Sequence, residues 1–212
     1  MNPDPTTLAA TRRSLHAVAE LVLAGPQYRR HGTIRLQVTP GGFATVTEPS
    51  HRVDGVHLIA GDRLWSIAGR SCADLASVVG LQASPLKDVY HDATDIGETE
   101  PLDVDPAAAE WLARCWVAGD SALRRLAPAE VPVLWPEHFD VAIRLDEVNF
   151  GVSPGDIHIN EPYAYVGPPT PRTGAFWNQP FGAARPLAAL GDVAGVVAFL
   201  REGSERASEQ PT

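Results

Sequence analysis

The sequence predicts an α+β fold: a mainly antiparallel sheet in two runs of strands, with helices packed against one face. Three observations carry this. Extended segments follow one another across short turns, and short connections join antiparallel rather than parallel neighbours. Helical periodicity is confined to a few segments at the start, the middle and the end of the chain. Glycine and proline, 18 and 19 of 212 residues, together make up about 17% against a usual value near 12%, which means many turns and no helical bundle. The length suits one domain, expected over residues 1–202 with a flexible C-terminal tail over 203–212.

Taken in order, Asp4 before Pro5 supplies a cap and a first helical residue, and Leu8, Leu15, Val18, Leu21 and Val22 recur at helical spacing. This predicts a first helix over residues 6–24, stopped at Gly25-Pro26. Thr33-Ile34-Arg35-Leu36-Gln37-Val38 alternates, Pro40-Gly41-Gly42 turns, and residues 43–47 resume extended character, which makes a hairpin. A second hairpin joins residues 56–59 to 63–67 through Ala60-Gly61-Asp62. A short helix over 71–79 ends at Gly80, and residues 84–105 form an acidic, solvated crossing loop. Asp105-Pro106 repeats the cap-and-proline start. Leu112, Cys115, Trp116, Leu123 and Leu126 form an apolar stripe interrupted by Gly119, a residue that marks either close packing or a split helix. Extended segments follow at 131–135, 139–144, 148–150 after a turn at Asp146-Glu147, and 163–166, before a last helix over about 186–200. The two strand runs are compatible with a degenerate duplication, although no residue-level repeat supports one.

A net charge of −9 argues against a nucleic-acid surface, which needs clustered lysine and arginine for counterion release. The first residues lack a basic region followed by an apolar run, and no window holds 18 apolar residues, so a cytoplasmic protein without a membrane partner is expected. Cys72 and Cys115 form no Cys-x-x-Cys pair and read as reduced, with Cys115 a small buried hydrophobe. Lys87 is the single lysine, leaving little scope for Schiff-base chemistry.

Chemistry-bearing residues concentrate between positions 135 and 181. His138 and Asp140 are two apart and share one face of a strand, as do Asp156 and His158, and the two pairs are symmetric about Val148. In one antiparallel hairpin centred there, His138 faces His158 and Asp140 faces Asp156. Opposed Cβ atoms stand about 4.5 to 5.5 Å apart, so the four side chains would converge on one divalent ion; two imidazoles and two carboxylates suit zinc, iron or manganese. Glu137 is the candidate base. Gly151, Pro154 and Gly155 threaten this register, because each tends to bulge or end a strand. The alternative is histidine–carboxylate hydrogen bonding that holds a loop over the sheet.

A second candidate is a ligand pocket walled by Trp135, Tyr163, Tyr165, Phe176 and Trp177 with Asn178 as a polar contact, the loop aromatics otherwise serving as a cover. His16, His31, His51, His57 and His91 read as structural or surface residues. Phosphate-binding glycine loops, a Gly-x-Ser-x-Gly elbow and His-Glu-x-x-His are all absent, and residues 92–103 fit a calcium loop poorly. The function that follows is small-molecule binding or a metal-assisted reaction centred on residues 135–181. A protein-interaction module with structural histidines is the alternative.

Ser14-Leu15-His16, the strand leading to Gly42-Phe43-Ala44-Thr45, Asp105-Pro106, and Trp135 followed by Phe139-Asp140-Val141-Ala142 together resemble an uncharacterised bacterial family classed as a domain of unknown function. The likeness covers about two thirds of the chain in element order. It carries over His16, Gly42, Thr45, Phe139 and Asp140, supports the element order, and implies no reaction. Gln27-Tyr28-Arg29-Arg30-His31 departs from the aromatic-rich stretch of that family.

Overall fold

The computed structural model describes residues 3–209. Among the described residues there are helices and ten strands, antiparallel at every described pairing, so the α+β expectation holds. The chain divides into two compact units, Met1–Arg114 with Leu134–Phe139, and Cys115–Val133 with Asp140–Thr212.

In the first unit, α1 (Pro5–Ala17) begins where expected, with the Asp4 carboxylate accepting from the Thr6 and Thr7 N–H groups. It does not stop at Gly25. The helix widens into a π-helical segment, Val18–Ala24, and continues as α2 (Gly25–His31) to a left-handed Gly32. The proline is tolerated for a local reason. In the wider coil the carbonyl that Pro26 would have served is that of Leu21, and the Ser84 N–H donates to it instead at 2.9 Å.

The buried Gln27 of α2 fastens the sheet to this helix. Its amide nitrogen donates to the carbonyls of Thr33 and Arg35, and its oxygen accepts from the N–H groups of Val46 and Thr47. The strands β1 (Leu36–Thr39), β2 (Gly42–Thr45), β3 (His51–Asp54), β4 (His57–Ala60) and β5 (Arg63–Ser66) form a meander, and β6 (Val133–Trp135) lies on the other side of β1. Both expected hairpins are present; β3 was not expected. α3 (Cys72–Val78) carries a full capping box between Ser71 and Asp74.

α4 (Pro106–Leu126) is a single unbroken helix, Asp105 capping it through the Ala108 N–H. In the second unit, Gly119 settles its own ambiguity: a β-carbon there would meet Val141 and Val152 at 2.7 Å, so the glycine marks close packing of helix on sheet. The strands of this unit are β7 (Asp140–Leu145), β8 (Val148–Ser153), β9 (Tyr163–Gly167) and β10 (Ala183–Pro186), in the order β10-β9-β8-β7. α5 (Leu187–Leu190) and α6 (Val193–Ser208) replace the single last helix expected, divided at Gly191 by the Asp192 cap. The expected flexible tail is helical from 203 to 208, because Gly203 lets α6 lie against Val166. Residues 210–212 of that tail lie outside the described residues. Among the described residues no helix is long and apolar enough to cross a membrane.

Candidate functional site

The ladder between β7 and β8 corrects the register on which the four-ligand site was built. Val141 pairs with Val152, and the pairing continues to Leu145 and Val148, around a two-residue turn in which Asp146 and Glu147 have φ of 46° and 70°. The hairpin is therefore centred between 146 and 147, not on Val148. Strand β8 also ends at Ser153, before Asp156 and His158. Gly151 does not bulge; it stays in the ladder opposite Ala142 and Tyr165.

The two aspartates take tyrosine partners instead. Tyr163 and Tyr165 share one face of β9, as the alternation predicts, and each hydroxyl donates to a carboxylate: Tyr165 to the buried Asp140, and Tyr163 to Asp156 at 2.6 Å. The Tyr165 ring lies across Gly151, where a β-carbon would come within 2.7 Å of it. Asp156 also closes its own turn by accepting from the His158 and Ile159 N–H groups at 2.7 and 2.8 Å. Burial works against its charge, yet the Tyr163 hydroxyl and these N–H groups hold the carboxyl below its ordinary range. Burial, followed by the facing carboxylates, pushes both phenols up. In this arrangement the aspartates are acceptors for tyrosine, and Asp140, Asp156 and His158 do not gather their ligand atoms into one set.

The expected pocket residues separate in the same way. Tyr163, Tyr165 and Phe181 form one aromatic group, with ring centroids 6.3 to 6.4 Å apart. Phe176 is buried in another, edge-on to Trp177 at 4.9 Å and beside Phe199, with the Arg185 and Arg206 guanidinium groups over its ring. The Asn178 side-chain oxygen accepts from the Ala184 N–H and helps to start β10. Trp135 belongs to the first unit, under the Arg35 guanidinium.

The remaining two predicted residues, Glu137 and His138, also lie in the first unit, where they meet a residue that sequence reasoning passed over. Asp92, in the acidic crossing loop, brings a carboxylate oxygen 3.7 Å from His138 Nδ1. One ligand atom each from Asp92, Glu137 and His138 lie within 4.8 Å of one another, the one such set among the described residues. Glu137 is half-buried; Asp92 and His138 are exposed.

The loop bearing Glu137 and His138 is held under strain. Phe139, which follows them, has φ of 54°, a left-handed conformation that a bulky residue rarely adopts. Its ring stacks on His16 at 5.3 Å and meets the edge of Phe43 at 5.4 Å. His16 Nε2 lies 2.6 Å from the Pro136 carbonyl oxygen, to which it donates. Burial lowers the His16 pKa to about 4, so the ring is neutral near pH 7, and the carbonyl partner fixes its proton on Nε2.

No family model, no curated protein and no solved structure matches the chain.

Proposed function

We propose that the first unit carries a divalent-metal centre formed by Asp92, Glu137 and His138, and that the protein uses it to bind an oxygen-rich small molecule. The observation that carries this reading is the convergence of three ligand atoms within 4.8 Å from two segments far apart in sequence. Two carboxylates and one imidazole suit manganese, iron or zinc, and three protein ligands leave coordination positions for water or substrate. An ion held in this way polarises a bound oxygen or lowers the pKa of bound water. The strained Phe139 supports the reading, since such a conformation persists where the surrounding packing imposes it and is concentrated at working sites.

The test is metal titration of the untagged chain with Mn²⁺ and Zn²⁺, followed calorimetrically. One equivalent is expected to bind, with at least a tenfold loss in Asp92→Asn and in His138→Ala. Absence of saturable binding, or parental affinity in both variants, overturns the reading.

One observation favours a second reading, an interaction surface. β5 ends the strand order of the first unit, and its Leu64 is 62% exposed. An unpaired edge strand of this kind can recruit another strand. Under this reading Leu64→Lys abolishes a concentration-dependent association seen by light scattering and leaves metal binding intact.

A further inference from the structure

We propose that one turn of the first helix, His16 and Glu20, is the positioning element of the Asp92/Glu137/His138 centre, each residue fixing one of the two loops that supply its ligands. This rests on the metal reading above. The two residues are four apart, about one helical turn. His16 holds the 136–139 loop through the Pro136 carbonyl, directly before Glu137 and His138.

Glu20 holds the other loop. Its side chain is 0% exposed, and its two oxygens accept from different N–H groups, Leu86 at 3.2 Å and Thr94 at 2.7 Å. These two residues bracket the arch that contains Asp92, so one carboxylate closes the arch at both ends. Tyr90, inside the same arch, is buried beside it; burial and then the Glu20 charge push its phenol up. Two turns earlier, Arg13 pairs with Asp95 and Glu100 at 2.8 Å, just beyond the arch.

The carboxylate satisfies two buried N–H groups that an apolar side chain would leave unpaired. A bidentate acceptor does what an apolar side chain cannot: it sets the spacing of two backbone positions eight residues apart. Residues that orient ligands from behind in this way typically contribute 10- to 100-fold to metal affinity. The π-helical segment containing Glu20 fits the same role, since such widenings recur at functional sites.

The test is a mutant cycle read by Mn²⁺ calorimetry and by the visible spectrum of the Co²⁺-loaded chain. Glu20→Gln keeps the shape but sets an amide NH₂ against one of the two N–H donors. His16→Phe keeps the stack on Phe139 and removes the donor to Pro136. Each is expected to retain the far-UV circular dichroism of the parent and to weaken Mn²⁺ binding about tenfold. Glu20→Gln is further expected to shift the Co²⁺ bands toward those of Asp92→Asn, and the double variant Glu20→Gln, Asp92→Asn to bind no more weakly than Asp92→Asn alone. Glu20→Asp, which keeps the charge but is too short to span both donors, is the second variant should the glutamine form not fold, and the same loss is expected of it. Parental affinity in the folded Glu20 and His16 variants, with loss in Asp92→Asn and His138→Ala, overturns the positioning role alone. A parent chain that binds no Mn²⁺ overturns the metal reading and this inference together.

Discussion

The carbonyl oxygen of Ser84 lies 1.8 Å from the point where a β-carbon on Gly25 would stand. The glycine therefore serves a close approach of two backbones, and the helix passes through it because its φ of −60° is ordinary helical geometry. The contact delivers the chain to the start of the acidic loop. Gly25→Ala forces the loop away from the helix and is expected to cost about 3 kcal/mol, read as a lower urea midpoint. It is also expected to weaken metal binding, because Ser84 precedes the arch that Glu20 closes.

Tyr165→Phe tests the tyrosine–carboxylate pairing of the second unit. The ring can still lie across Gly151, so packing is preserved and only the hydrogen bond to Asp140 is lost. A loss of about 1 to 3 kcal/mol is expected by chemical denaturation, with no change expected in Mn²⁺ affinity, since neither residue belongs to the proposed Asp92, Glu137 and His138 set.

His16 makes stability depend on pH with a definite sign. Its folded pKa, about 4, lies below the ordinary 6.5, so between these values the unfolded chain binds more protons. The contribution is complete above pH 6.5 and is lost as the pH falls toward 4, by at most about 3 kcal/mol. Burial raises the pKa of Glu20, which has the opposite effect: its contribution is full below the ordinary carboxylate value and falls as the pH rises past it. Subtracting the urea stability of His16→Phe from that of the parent between pH 7.5 and 4 isolates the histidine. The difference is expected to shrink on acidification.

Cys72 is fully buried, and burial pushes its thiol up to about 12. The thiolate needed for reaction is thus scarce and shielded. A disulfide reagent is expected to leave Cys72 unmodified in the native chain and to react within minutes in denaturant, as peptide mapping will show.

Local signals made much of the fold legible. Asp4-Pro5, Ser71 and Asp105-Pro106 cap helices where their chemistry says they should, and Pro40-Gly41 turns a hairpin. The misses are tertiary. β3 alternates buried His51 and Val53 with exposed Arg52 and Asp54, but its charged residues hid the pattern. β10 reads Ala-Ala-Arg-Pro and is a strand because it pairs with β9. Gly25-Pro26 reads as a stop and is continuous helix, because the distant Ser84 N–H serves the carbonyl the proline leaves open.

The candidate site was half legible. Glu137 and His138 stood out as dense, unusual chemistry, yet the apparent symmetry of His138 and Asp140 with Asp156 and His158 about Val148 fails, because β8 ends at Ser153 and the hairpin turns between 146 and 147. Asp92 was hidden among the other acids of its loop, and nothing short of the fold brings position 92 beside position 138. Glu20 looked like one more helix residue; only its burial and its two N–H donors distinguish it.

The most direct test is anomalous diffraction from crystals soaked in Mn²⁺ or Zn²⁺. One strong peak is expected about 2.0 to 2.2 Å from a ring nitrogen of His138 and from carboxylate oxygens of Asp92 and Glu137. A peak elsewhere with these three side chains unliganded, or no peak at all, would contradict the metal reading.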